Sequence, residues 1–360
     1  MPLLEIPHKV CDCTCMVNGL EDLYEWKTGK RLSDYLFFYL SGMCGFTYVK
    51  QKKAPAPCMV FWGSNIKSQY AFLSELVGYK WEMTEARSFS FSLENAKRCI
   101  EHGTPAILGA LDMYHIPYFQ KFYHKYHIPI HYVMMVGYND VEQQVFVNDC
   151  GKQEIQPIPY TDLEKAWNVN IAGLSKPNTF FTFEFDTKVS SIEDIVLNGL
   201  YKKAHFMLNP PVSLFGLTAM RKLSKDFPLW KENMDAQQYS KALYHFAEFT
   251  GNPPGTPAKL LNYKTDNYNN HLAGRDGFAD LLIKLSQQYT YPAWKDAAQL
   301  FRESGDNIEK LTDLVVDYIL DNSNSIIPIS SQIVKIADLE EKAYKIIIDS
   351  LKGVAKISNL

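Results

Sequence analysis

Thiol-based nucleophilic catalysis needs a cysteine, an imidazole and a group to orient that imidazole. The chain offers these at Cys11, His131 and Asp149. A cysteine is a useful nucleophile only as the thiolate, and a helix N-terminus favours that anion through its free N–H groups and the positive end of its dipole. Leu20 to Trp26 reads as part of a helix beginning near Cys11, which puts the Cys11 sulfur at such a tip. His131 opens a strand, and Asp149 stands where the next strand ends, so a rigid backbone could hold imidazole and carboxylate together. Each residue also has a plain structural reading. Cys11 would then be a small buried hydrophobe, His131 a strand-edge histidine with a satisfied hydrogen bond, and Asp149 a turn residue before Cys150-Gly151. Spacing alone does not decide between the two.

The elements that must position these groups are readable from periodicity. Tyr132-Val-Met-Met-Val136 ends at Gly137, and Gln144-Val-Phe-Val-Asn148 follows after the turn residues Asn139-Asp140, so the pair reads as a hairpin. Thr179-Phe-Phe-Thr-Phe-Glu-Phe-Asp186 alternates with period two and reads as a further strand. Ser190 and Ser191 stand three residues before Glu193 and Asp194, a capping-box pattern. Beyond them the apolar spacing is helical: Leu214 to Leu223, Phe278 to Leu285, Ile308 to Leu320 and Ile333 to Leu351. Asn209-Pro-Pro211, Gly251-Asn-Pro-Pro-Gly255 and Asn322 to Pro328 mark the breaks. The expected organisation is an α+β domain over residues 1–187 and an all-helical domain over 188–360.

Composition narrows the function classes. The chain has 360 residues, 46% hydrophobic and 21% charged, with a formal net charge of -3. That leaves no electrostatic footprint for nucleic acid. The most apolar stretch, Tyr35 to Val49, has fifteen uncharged residues including Ser41, Gly42 and Gly45, short of the roughly 20 needed to span a bilayer. No membrane association is expected. Met1 to Val10 carries Glu5, two prolines and His8, unlike a secretory signal, and the cytoplasm is the expected location. Seven unevenly spread cysteines do not make a disulfide scaffold. Cys11-x-Cys13-x-Cys15 with His8 could offer four zinc ligands, but the spacing is unlike paired-cysteine zinc sites, and no metal is expected. His115, His124 and His127 read as surface or aromatic-packing residues. Asp112, Tyr114 and Tyr118 are candidate substrate contacts, with a strand end and a proline turn as the plainer reading.

The segment Ile130-His-Tyr-Val-Met-Met-Val-Gly-Tyr-Asn139, followed by Val145-Phe-Val-Asn-Asp149, resembles the histidine and aspartate blocks of papain-like enzymes related to bacteriocin-processing cysteine peptidases. Cys11 to Val17 is similar to their nucleophile helix. A closer resemblance is to the family of butirosin biosynthesis protein H. It rests on the order of several pieces: the cysteine helix, Leu32-Ser-Asp34, Leu40-Ser-Gly-Met-Cys-Gly-Phe-Thr-Tyr48, Leu111-Asp-Met-Tyr-His-Ile-Pro-Tyr118 and the His131 block. Gly216-Leu-Thr-Ala-Met-Arg-Lys-Leu223, ending at Trp230, and Gly274 to Leu285 also look like that family's helical part. The resemblance covers most of the chain.

The resemblance implies a papain-like fold and a cysteine-dependent acyltransferase of antibiotic and nonribosomal peptide biosynthesis, related to the amide synthases of clostridial polythioamide biosynthesis. Such an enzyme moves an acyl group from a carrier-protein thioester onto Cys11 and then to an amine. His131 would be the base and Asp149 its orienter. The partners implied are an acyl or peptidyl carrier protein and a small-molecule amine. No cofactor is implied, because phosphopantetheine arrives on the carrier. With water as acceptor the same triad gives a thioesterase or peptidase. The peptidases place a glutamine six residues before the nucleophile, where this chain has Glu5, which cannot donate when ionised. His8 and Asn18 are the candidates for a second oxyanion donor. Lys50, Lys52, Lys53, Arg221, Lys222 and Lys225 are candidates for carrier docking. The helical half is expected to cover one side of the thiol site or to supply an oligomer interface, such as that of a homodimer.

Overall fold

The computed structural model describes residues 2–11, 14–42, 45–51, 56–171, 174–251, 274–321 and 325–354. They fall into two compact units. One joins Met1–Phe38 to Asn65–Ile192, and the other joins Tyr39–Ser64 to Glu193–Leu360. The units therefore do not follow a single cut at residue 187, because residues 39–64 cluster with the helical half. That assignment depends on non-local contacts, and periodicity carries no information about those.

The first unit is built on a six-stranded sheet. In chain order its strands are β3 (Tyr79–Thr84), β4 (Ala106–Leu111), β5 (His131–Asn139), β6 (Gln144–Asp149), β7 (Lys152–Pro159) and β8 (Phe180–Phe185). Their spatial order is β3-β8-β4-β5-β6-β7, and all neighbours are antiparallel. Alternation divides the side chains between two faces. Val133, Met135, Val147 and Phe180 pack with residues of α4 (Phe89–Glu101) and α5 (Tyr160–Ala166), and with Trp167, in one core. On the other face lie α1 (Cys15–Thr28) and α3 (Ile66–Val77), with Tyr70 of α3 set edge-on to Phe181 and Phe183.

Two glycines permit the close approaches that this arrangement needs. A Cβ at Gly19 of α1 would lie 3.0 Å from Ile107 and 3.2 Å from Met134, tighter than ordinary contact, so a glycine there lets the helix settle onto the sheet without displacing either side chain. At Gly137, where the β5–β6 register slips, a Cβ would meet Leu3 at 2.7 Å. The N-terminal segment crosses β5 at this point, with Leu4 N–H donating to the Val136 carbonyl at 2.8 Å.

In the second unit β1 (Thr47–Lys50) and β2 (Cys58–Phe61) form an antiparallel hairpin that clusters with helices. These are α6 (Ile192–Leu208), α7 (Gly216–Asp226), α8 (Trp230–Asn233), α9 (Ala236–Gly251), α10 (Arg275–Gln288), α11 (Ala293–Asp321) and α12 (Ile327–Leu351). At its centre Arg275, 1% exposed, makes a two-pronged ion pair with Glu340 at 2.7 and 3.0 Å, lies over the Trp62 ring and donates to the Gly45 carbonyl at 3.2 Å. A buried guanidinium is tolerated because its donors are matched in this way. The same contacts tie the 39–64 segment into the unit. α2 (Leu36–Leu40) straddles the point where the chain passes from one unit to the other.

Candidate active site

β5 begins at His131 and β6 ends at Asp149, and the antiparallel pairing brings these ends together. His131 Nε2 lies 2.6 Å from Asp149 Oδ2. Asp149 has further partners. Tyr118 Oη donates to the same oxygen at 2.7 Å, and Gly151 N–H donates to Oδ1 at 3.0 Å. Phe119 sets its ring edge-on to the imidazole, with centroids 5.1 Å apart. His131 is 6% exposed and Asp149 1%. Burial alone would raise the Asp149 pKa. The imidazolium charge and the three hydrogen bonds outweigh it and hold the carboxyl below the usual range.

The sulfur beside this pair belongs to Cys15. It is the first residue of α1, and its thiol hydrogen-bonds the His131 side chain and that of Cys150 and receives the Tyr132 N–H. Its Sγ also lies 3.9 Å from the Ile130 carbonyl. Because His131 gives Nε2 to Asp149, Nδ1 is the nitrogen left to face the sulfur. The hydrogen bond from Cys150 is the largest influence on Cys15. With the His131 hydrogen bond, the His131 charge and the Tyr132 N–H, it overcomes burial and holds the thiol well below its ordinary pKa. For His131 burial disfavours the charged form, but Asp149 and then Cys15 outweigh it and raise the imidazole to about 10. The two shifts support each other, each drawing its group toward its charged form, thiolate beside imidazolium.

Cys11 is not in this constellation. It lies upstream of the helix, is 4% exposed, and its thiol is pushed up by burial and by the charge of Glu21. Thr14, the Tyr35 backbone and Lys9 act in the opposite direction but do not prevail. The expectation that the helix starts near Cys11 is corrected by one turn. The Thr14 hydroxyl donates to the Cys11 carbonyl at 2.6 Å, and the helix ladder begins after it. Cys13 lies outside the described residues.

The other expected contacts separate clearly. Tyr118 reaches the site, through Asp149. Asp112 instead closes the base of the 113–127 loop: Oδ1 accepts from Tyr114 N–H at 3.1 Å and Ile128 N–H at 2.9 Å, and Oδ2 lies 2.6 Å from His127 Nδ1. Tyr114 stacks on His127 with centroids 4.1 Å apart. Asn18, 3% exposed, donates to the Lys9 carbonyl at 2.9 Å. His8 is held by Asp22 at 2.6 Å and by the carbonyls of Asp149 and Lys152 at 3.1 and 2.8 Å. Both proposed oxyanion donors are therefore engaged in anchoring the N-terminal segment. Six residues before Cys15 stands Lys9 rather than Glu5, and its ammonium pairs with Asp34 and donates to the Leu32 carbonyl at 3.3 Å. Among the carrier-docking candidates, Lys50 pairs with Asp226 at 2.9 Å and Arg221 with Asp338 at 2.8 Å, while Lys52 and Lys53 lie outside the described residues.

The family model described as butirosin biosynthesis protein H, N-terminal, matches residues 14–150. That span takes in Cys15, His131, Asp149 and Cys150 and leaves out Cys11. The chain belongs to the butirosin biosynthesis protein H family. A second model, a domain of unknown function (DUF4872), matches residues 161–256, beginning in α5 of the sheet unit rather than at the first long helix. No curated protein matches the chain. Among the described residues no helix is long and apolar enough to cross a membrane, and no group of three or more histidine, cysteine and carboxylate side chains is arranged to hold a metal ion.

The sequence reading missed Cys15 as the sulfur beside His131, and it missed Cys150, Phe119 and the Tyr132 N–H. One signal for Cys15 was present. Thr14 is a favoured residue type just before a helix, and it precedes Cys15. Nothing local in the sequence announces that Cys150 meets Cys15.

Proposed function

We propose that this chain is a cysteine-dependent acyltransferase of antibiotic biosynthesis, with Cys15 as nucleophile, His131 as proton carrier and Asp149 as the group that orients His131. The observation that carries the reading is the continuous chain of contacts from the Cys15 sulfur through the imidazole to the Asp149 carboxylate. A helix-tip thiol facing an imidazole delivered by a hairpin is also what a papain-like fold requires. Membership of a family named for butirosin biosynthesis supports a biosynthetic acyl transfer over proteolysis.

The Cys15 thiolate attacks the carbonyl carbon of a carrier-protein thioester. The tetrahedral oxyanion that forms is met by the Cys15 backbone N–H at the start of α1. As the intermediate collapses, the carrier thiolate leaves with the proton held by His131, and the acyl group remains on Cys15. An amine then attacks, gives its proton to His131, and departs as the amide while that proton returns toward Cys15. Asp149, held by Tyr118 and Gly151, keeps Nε2 of His131 occupied so that Nδ1 serves the sulfur. Phosphopantetheine enters only as part of the carrier substrate, in a cytoplasmic reaction.

Intact-mass analysis after incubation with acyl thioesters tests this reading. The acyl adduct is expected on the wild-type chain and on Cys11→Ala, and is expected to be absent from Cys15→Ala. An adduct that persists in Cys15→Ala contradicts the assignment. Added amine is expected to discharge the adduct as amide, whereas release only as free acid would make the enzyme a hydrolase.

A further inference from the structure

Two thiols meet at this site, and acyl transfer uses one. Cys150 follows Asp149 directly, is 7% exposed, and hydrogen-bonds the Cys15 side chain. Its backbone is fixed on both sides: its carbonyl accepts the Cys11 N–H at 2.8 Å, and the next residue, Gly151, is tied to Asp149 at 3.0 Å. Neither Cys15 nor Cys150 is in a disulfide. The surrounding contacts agree with this placement: the Cys15 Sγ lies 3.9 Å from the carbonyl of Ile130, which precedes His131, and His131 Nε2 lies 2.6 Å from Asp149, which precedes Cys150, so the two thiols belong to one cluster around the imidazole. An ionised, partly accessible sulfur is also the kind that hydroperoxides oxidise first.

We propose that Cys150 is a resolving thiol that captures the peroxide-oxidised form of Cys15 as a Cys15–Cys150 disulfide. This rests on the reading of Cys15 as the reactive thiolate. In the first step the Cys15 thiolate attacks one oxygen of hydrogen peroxide. The O–O bond breaks, and sulfenic acid and hydroxide form, the latter taking a proton to become water. In the second step the Cys150 sulfur attacks the Cys15 sulfur. The S–S bond forms, the S–O bond breaks, and the departing hydroxide leaves as water with the Cys150 proton. The balance is two thiols and one peroxide to one disulfide and two waters. A dithiol reductant reverses it, which returns the nucleophile instead of losing it to sulfinic acid.

The test is a non-reducing peptide map of the full-length protein after stoichiometric hydrogen peroxide. The expected product is a 15–150 cross-link with loss of two hydrogens, and dithiothreitol should restore iodoacetamide labelling at Cys15. In Cys150→Ser, Cys15 should instead gain two or three oxygens and stay unlabelled after reduction. Over-oxidation of Cys15 in the wild-type chain without a cross-link overturns the proposal, as does pairing of Cys150 with Cys11 or another cysteine. The wild-type map decides the matter even if the serine variant fails to fold. The acyltransferase reading fails separately: a 15–150 cross-link in a protein that never forms an acyl adduct refutes that reading alone.

Discussion

Cys11 and Cys15 stand four residues apart, both in confined surroundings, and their thiols are driven in opposite directions. Around Cys11 the first influence is burial and the next is the charge of Glu21, so the neutral thiol is favoured. Around Cys15 burial acts in the same sense, but Cys150, His131 and the Tyr132 N–H supply donors and a positive charge, and the thiolate prevails. Burial therefore does not decide whether a cysteine is inert. What decides is whether the buried sulfur meets donors or a carboxylate.

The largest effect that sharpens this contrast is expected at His131. Replacing it with alanine removes both the charge opposite Cys15 and the proton carrier, and acyl-transfer turnover should fall by roughly 10²–10⁴-fold. The same substitution should move the pH profile of Cys15 alkylation toward that of an ordinary thiol, and an unchanged profile would mean that the imidazole does not support the thiolate. Steady-state kinetics and alkylation rates read the two effects separately.

A smaller effect tests the Cys11 side. Glu21, 6% exposed, is raised from 4.5 to about 8, chiefly by burial, against the Phe37 N–H that donates to it at 3.1 Å. Its folded value is above its unfolded value, so its contribution is complete below about 4.5 and is lost as pH rises toward 8. Glu21→Gln keeps an acceptor for Phe37 and removes the titration. The wild-type melting temperature should therefore fall more steeply than the variant's between these values, by an amount equivalent to a few kcal/mol. Parallel curves would show that Glu21 is not the buried acid beside Cys11.

The hairpin that carries the site was legible because alternation and the Asn139-Asp140 turn are local properties. The observed strands His131–Asn139 and Gln144–Asp149 place imidazole and carboxylate at its open end. The nucleophile position was not legible. Residues 11 and 15 share a face on any helix that includes both, so periodicity cannot say which of them starts it. The decision lies in the Cys11 N–H, which donates to the Cys150 carbonyl at the β6–β7 turn rather than to a helix, and that contact joins residues far apart in the chain. The place of residues 39–64 was hidden for a similar reason, since it depends on Arg275 far downstream. Asp112 and Tyr114 were of a plausible type for substrate binding, but the Asp112 carboxylate closes the 113–127 loop and the Tyr114 ring stacks on His127.

The most direct measurement is the rate of iodoacetamide alkylation at Cys15 and at Cys11, resolved by peptide mass across a pH series. Cys15 is expected to label rapidly at pH values well below the ordinary thiol range and to change again near pH 10 as His131 loses its proton, while Cys11 labels slowly and only at high pH. Rapid labelling of Cys11 at neutral pH with Cys15 unmodified would contradict the account.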